Sequence, residues 1–348
     1  MNSSGNALLS RAHALYAKRL TDDDYNAMVN LSSNNELYNY LKSNTSYGDQ
    51  IGYVPNGHYS RTRLERAVRK AQFERISSLC RFEKLIGEKV YNFYIRKSEV
   101  ETIIFCTRHF QNDRIHAIEN LPDFFKKEQC FQWAELENVK TMSELSHALK
   151  DTPYRKIIKP LANSTVPWTR AILENSLYTY LFSETHKNVE KSCKGTERDE
   201  IENHFNMLSD MIMIENLSRL ADNYIDTDSY KANIYVSPFS NFTENEIHKM
   251  TESTSSNEIM NVILSSYYKK YFNENDFSPI EHKTRKATAK ICAYNLRYSQ
   301  NPILCMLSYC TLNENEIKNI THIIEGIRYK LSPPEILELI VKGENVWQ

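Results

Sequence analysis

The sequence predicts an all-α protein built from three similar helical units, and three observations carry that prediction. One pattern occurs three times: Glu36-Leu37…Leu41…Thr45-x-Tyr47…Ile51, Glu144-Leu145…Leu149…Thr152-x-Tyr154…Ile158 and Glu258-Ile259…Ile263…Ser266-x-Tyr268…Phe272. Its glutamates lie 108 and 114 residues apart, so each copy fills about one third of the 348 residues. Self-similarity at a long, nearly fixed period constrains architecture more than any single residue does. Only eight residues are glycine; tight turns, hairpins and phosphate loops all draw on glycine for positive φ, so long helices joined by polar loops are favoured. Apolar residues recur at three- and four-residue steps through most of the chain, the spacing of one helix face.

The units are assigned to residues 1–118, 119–232 and 233–348. In the first, Leu20 precedes Thr21-x-x-Asp24, which reads as a capping box opening a short helix with Tyr25 and Met28 facing the core. The third unit repeats this as Phe242, Thr243-x-x-Glu246, Ile247 and Met250, whereas Phe125-Lys126-Lys127-Glu128 in the second offers no Thr cap. A turn-rich link runs from Tyr47 to Gly57, and a long helix is predicted from Arg61 to about Tyr94 on the stripe Leu64, Val68, Ala71, Leu79, Phe82, Ile86, Val90 and Phe93. Another helix follows from Glu99 to Phe110. The second unit continues through Trp168 and a helix from about Arg170 to Glu184 to a polar loop or junction at Lys191–Glu200, then a stripe of Met207, Met211, Ile214, Leu217 and Leu220. In the third, Ile317, Ile320, Ile323, Ile324 and Ile327 form the matching stripe, and Leu331-Ser332-Pro333-Pro334-Glu335 starts a last short helix with Pro in its first turn. Asn216-Leu217 and Asn319-Ile320 are paired as equivalent positions, with Thr102-Ile103 as their counterpart in the first unit.

No chemistry-bearing motif emerges. Phosphate-loop, dinucleotide, zinc-protease and nucleophile-elbow patterns are absent from the sequence, so no catalytic, cofactor-binding or metal-binding residue is assigned. The ten histidines lack the spacing that puts two ligands on one helix face, and His186, Cys193 and His204 are the nearest approach to a ligand cluster. Asp22-Asp23-Asp24 sits where a helix macrodipole favours anions. Formal net charge is −1, which gives the chain as a whole no electrostatic reason to seek nucleic acid. Arg61, Arg63, Arg66, Arg69, Lys70, Arg75 and Arg81 crowd one segment, but Glu65, Glu74, Glu83 and Glu88 interleave with them, as on a solvated face laced with ion pairs. Seven cysteines without a C-x-x-C pair read as buried thiols in a reducing cytosol. The start Met1-Asn2-Ser3-Ser4-Gly5 lacks the layout of a secretory signal, and no apolar run reaches the roughly 18 residues of a membrane span. Membrane association is therefore expected through a partner, without direct transmembrane insertion.

The repeated residues have a structural reading: Glu in a helix's first turn, and Tyr with its ring in the core and its hydroxyl at the rim. They also have a functional one, in which Thr45, Tyr47, Thr152, Tyr154, Ser266 and Tyr268 lie at partner surfaces.

Assembled, these residues resemble the C-type subunits of A/V-type ATPases, a family whose eukaryotic counterpart is the d-type subunit of V-ATPases. The run Asn6–Thr21 resembles that family's opening Ala/Arg helix leading into Arg-Leu-Thr, and Leu41…Thr45-Ser46-Tyr47-Gly48 resembles its L…T-x-Y-G turn. Asn301–Leu307, Glu314–Ile320 and Leu331–Ile336 resemble its closing signature, although residues 180–240 match only in helical pattern. The resemblance implies a pseudo-threefold funnel of helices, not an enzyme, that couples the central stalk to the membrane rotor ring for ATP-driven proton or sodium transport. Its implied partners are rotor-ring membrane subunits and central-stalk subunits of D and F type, and its implied location is cytoplasmic, peripheral to the membrane through the complex. The competing readings are an unrelated all-α repeat scaffold binding cytosolic partners, and a helical hydrolase acting on nucleotides or RNA through the arginine-rich segment.

Overall fold

The computed structural model describes residues 3–51, 60–108, 110, 122–165, 168–223 and 234–342. Among them all regular structure is helical, as predicted. In chain order the helices are α1 (Ser3–Tyr16), α2 (Asp22–Met28), α3 (Asn34–Asn44), α4 (Arg61–Ile86), α5 (Asn92–Arg108), α6 (Asp123–Glu128), α7 (Trp133–Leu136) and α8 (Met142–Ala148). They continue as α9 (Arg155–Asn163), α10 (Arg170–Ser192), α11 (Gly195–Asn223), α12 (Glu244–Thr251), α13 (Ser256–Ile263), a 3-10 turn at Lys269–Tyr271, α14 (Ile280–Tyr298), α15 (Pro302–Tyr329) and α16 (Pro333–Leu339). Each copy of the motif opens a like local order: a short helix headed by the repeated Glu, the Tyr turn, then two long helices, with the second copy inserting the nine-residue α9 directly after its Tyr. The chain divides into two compact units, one made of Met1–Gly87 with Asn275–Gln348 and the other of Glu88–Glu274.

Local signals set the helix ends. Thr21 with Asp24 and Thr243 with Glu246 form the expected capping boxes, while α6 starts at Pro122 with no side-chain cap. Tyr25, Met28 and Met250 are buried as expected, and Ile247 is only half-buried. Asn301 caps α15 by accepting from the N–H groups of Ile303 and Leu304, with Pro302 in the first turn. Ser332 and Glu335 box the start of α16 behind Pro333. The long helix predicted from Arg61 to Tyr94 instead ends at Ile86, because Gly87 takes the left-handed conformation (φ 92°) and donates to the Glu83 carbonyl. A new helix begins at Asn92. Val90 and Phe93 stay buried across the break, so apolar spacing alone did not reveal it. Conversely, α10 runs two turns beyond Glu184, since His186 and Val189 also point inward. The polar stretch 191–200 narrows to a junction at Cys193-Lys194, after which Gly195 (φ 60°) starts α11.

In the unit made of both chain ends, α15 packs against α1, α4 and α14. Its face Ile317, Ile320, Ile323 and Ile324 meets Leu37, Leu41, Leu64 and Val68 in one apolar core. Gly326 lets α16 approach, for a Cβ there would lie 2.5 Å from Ile336 Cγ1. In the other unit, α10 packs against α5 and α11, and α13 lies on α11. There Phe93 meets Phe205 with ring centroids 4.8 Å apart. No helix among the described residues is long and apolar enough to cross a membrane.

Candidate functional site: three buried tyrosine–carboxylate clasps

The repeated glutamates behave alike. Ser33, Thr141 and Ser255 cap their helices by accepting from the N–H of Glu36 (3.2 Å), Glu144 (3.2 Å) and Glu258 (3.4 Å). Each Glu carboxylate then reaches one residue behind the cap, accepting from Ser32 N (2.8 Å), Lys140 N (2.7 Å) or Thr254 N (2.8 Å). The bonds from the Ser32 backbone and hydroxyl lower the Glu36 carboxyl below its ordinary range.

At the other end of the same helices, Thr45, Thr152 and Ser266 donate to the carbonyls of Leu41 (2.5 Å), Leu149 (2.8 Å) and Ile263 (2.8 Å). Two of these hydroxyls also accept from the N–H of the tyrosine two residues on, Tyr47 (3.2 Å) and Tyr268 (3.1 Å). The Ser/Thr therefore turns the chain so that the Tyr ring is driven inward. Tyr47, Tyr154 and Tyr268 are each 0% exposed. The hydroxyls, expected at the rim, are also interior, because each has a carboxylate waiting for it there.

Tyr47 donates to Glu316 Oε1 (2.6 Å), Tyr154 to Glu99 Oε2 (2.7 Å) and Tyr268 to Asp210 Oδ2 (2.6 Å). Each acid also accepts a backbone N–H: Leu20 N to Glu316 (2.8 Å), Cys130 N to Glu99 (2.6 Å) and Asn241 N to Asp210 (2.9 Å). Leu20 and Asn241 stand just before the capping boxes of α2 and α12, and Cys130 follows α6. One carboxylate thus ties a Tyr turn to the start of the same copy, forming a clasp. The acid itself comes from the last long helix of the preceding copy: α5 for the second, α11 for the third, and α15 at the far end of the chain for the first.

Cations distinguish the three clasps. Arg75, 4% exposed, lies over the Tyr47 ring at 4.0 Å from its centroid, and its guanidinium reaches Glu316 Oε1 (3.5 Å), Ser46 Oγ (2.9 Å) and Gln50 Oε1 (2.9 Å). Arg96 bonds Glu99 Oε2 at 2.8 Å. Asp210 is instead bonded by the Ser240 hydroxyl and by Tyr268 and Asn241. Burial raises both Asp210, pushed up to about 7, and Glu316, where Arg75, Tyr47 and the Leu20 N–H act in the opposite sense. Burial first, and then the adjacent acid, raise all three tyrosines, so they remain protonated donors.

Shielded from solvent and mutually satisfied, these groups lock local geometry. Removing one donor tests that role. Tyr154→Phe keeps the ring and leaves Glu99 with Arg96 and Cys130 N, so we expect a loss of about 1–3 kcal/mol, read as faster hydrogen exchange in peptides from α5 and α9; unchanged exchange there would show that the hydroxyl is dispensable.

Of the six candidate residues, the three tyrosines are interior and Thr45, Thr152 and Ser266 are half-buried. Glu99, Asp210, Glu316 and Arg75 were not singled out from the sequence. A signal for the acids exists: each stands four residues before an isoleucine of the stripe, Ile103, Ile214 or Ile320, and seven before Cys106, Leu217 or Ile323, all 0% exposed. That register replaces the pairing of Asn216-Leu217 with Asn319-Ile320, since Met213-Ile214 takes the equivalent place. A stripe with a period near 3.6 fits either alignment until the acid is known to anchor it. By sequence Arg75 belongs to a basic face interleaved with acids. That face does carry pairs, Arg61 with Glu65 and Glu325, and Lys70 with Glu74, but Arg75 turns inward from it. His186 stacks on Phe239 at 3.6 Å, and among the described residues no group of three or more His, Cys, Asp or Glu is arranged to hold a metal ion.

In comparisons with known proteins, the family model described as ATP synthase (C/AC39) subunit matches residues 8–339. No curated protein matches the chain.

Proposed function

The chain belongs to the ATP synthase (C/AC39) subunit family, and on that premise we propose that it is a non-catalytic central-rotor subunit of a V-type ATPase. Membership implies a place in the ATP synthase complex. In the proposed role the protein couples central-stalk subunits of D and F type to the membrane rotor ring, transmitting torque during ATP-driven proton or sodium transport. It is held at the membrane surface through the complex. The three copies, 1–118, 119–232 and 233–348, would form a pseudo-threefold funnel that seats on the ring and receives the stalk.

One observation carries the reading: on a chain matched to this family, the thrice-repeated motif builds clasps of buried, fully engaged hydrogen bonds instead of an open site. A torque-transmitting part needs turns that do not yield, and an interior hydrogen bond between tyrosine and carboxyl group supplies this. With Tyr47, Tyr154 and Tyr268 enclosed, partner contact at these turns falls to exposed neighbours, held in place by Thr45, Thr152 and Ser266.

The test is co-elution of the purified protein with detergent-solubilised rotor ring and, separately, with the stalk subunits. Complex formation with both is expected. Binding to neither overturns the proposal.

A further inference from the structure

We infer that the turns following the second and third clasp tyrosines each present a cationic docking face for an acidic segment of a partner subunit present in one copy. This rests on the reading of the protein as a subunit of the rotary complex.

The second clasp residue, Tyr154, is followed immediately by Arg155 and Lys156, with Lys159 one turn on, and all three are exposed. The third, Tyr268, is followed by Lys269 and Lys270, both exposed, and preceded by Tyr267, which is 52% exposed. Cations therefore recur at the same two positions after the clasp, outside an interior that holds the tyrosine rigidly. Among the described residues no ion pair engages Arg155, Lys156, Lys159 or Lys269, although the chain carries 44 acidic side chains against 43 basic ones. Local folding engages only one of them, Arg155, whose guanidinium donates to the Lys150 carbonyl at 3.4 Å. Arg155 and Lys156 occupy the first turn of α9, where the macrodipole disfavours positive charge, and that turn contains no acid.

Exposed cations on turns fixed from within, joined in the third copy by the exposed Tyr267, complement an acidic polypeptide with some apolar character. The first copy departs from the pattern: Tyr47 is followed by Gly48 and Asp49. A surface that differs between copies suits a partner present once, better than a ring of identical subunits offering the same face all round. The stalk side is therefore the assigned source of the acidic segment.

The test uses the full chain and an immobilised pair of D- and F-type stalk subunits, with solubilised ring and anionic lipid vesicles as parallel arms. The variants are Arg155→Glu with Lys156→Glu, Lys269→Glu with Lys270→Glu, and a control at the exposed Lys191→Glu with Lys194→Glu, which changes net charge equally. Glutamine replacements at the same sites serve if a reversal fails to fold. Wild-type binding to the stalk pair, weakened about tenfold with a flatter salt dependence in both test variants and changed less than about twofold in the control, is the expected result. Test variants that bind as well as wild type, or a control that weakens as much, overturn the inference and leave the rotor reading standing. Losses confined to the ring or to the vesicles overturn the assignment of the partner. Wild-type protein that binds neither stalk nor ring removes the rotor reading, and this inference with it.

Discussion

Glu316→Ala is expected to destabilise the unit made of the two chain ends by about 3–5 kcal/mol, the cost of leaving a buried charge without its partner. The carboxylate accepts from Tyr47 and from the Leu20 N–H and faces Arg75, which is itself 4% exposed. Alanine would leave three donors facing an apolar core, one of them a guanidinium that cannot shed its proton. Glu316→Gln keeps an acceptor but not the charge and should fall between wild type and alanine. Because the chain has two compact units, a single unfolding midpoint would blend them. Hydrogen exchange in peptides from α1, α4 and α15 should therefore show the loss locally. Exchange rates there that match wild type would refute the clasp's structural weight.

Asp210→Asn is expected to act through pH. Burial pushes the Asp210 carboxyl from 3.8 up to about 7, against the bonds from Ser240, Tyr268 and Asn241. A folded-state value above the unfolded one means that the folded protein holds the proton more tightly. Its stabilisation is fully present below about pH 4 and is lost as pH rises through about 7, roughly 4 kcal/mol in all. Two neutral histidines of the same unit run the other way: burial pushes His186 down to about 4 and His204 to about 3. Their contribution is complete above about pH 6.5 and fades on acidification. The difference between variant and wild type cancels the histidines. Asparagine can still accept from Tyr268 and Asn241 while donating to Ser240, so the variant should gain on wild type in stability, read by hydrogen exchange in peptides from α11, from about pH 4 to about pH 7. A difference that stays flat over that range would show that Asp210 does not titrate as described.

The helical class was legible because it rests on period and composition, which need no partner to be read: the capping boxes at Thr21 and Thr243 and the isoleucine stripe of α15 all lie where the spacing puts them. The repeated Tyr was legible as a core residue, but its acid was not. Tyr47 and Glu316 are 269 positions apart, and an acid on a long helix looks like any solvated acid until its position in the apolar stripe is weighed. Arg75 was hidden by company, one inward-turned cation in a crowd that read as surface. The end of α4 was missed for a different reason: the left-handed Gly87 ends the hydrogen-bond ladder without interrupting the apolar spacing.

The first compact unit draws on residues 1–87 and on residues 275–348. During synthesis Tyr47 leaves the ribosome 269 residues ahead of Glu316, so until α15 is made its hydroxyl has only water to bond. Any product cut short before residue 316 would keep that face open, a natural target for chaperones and proteases. Only chains translated past α15 can shut it, so closure of this unit reports that the chain has been made at least that far.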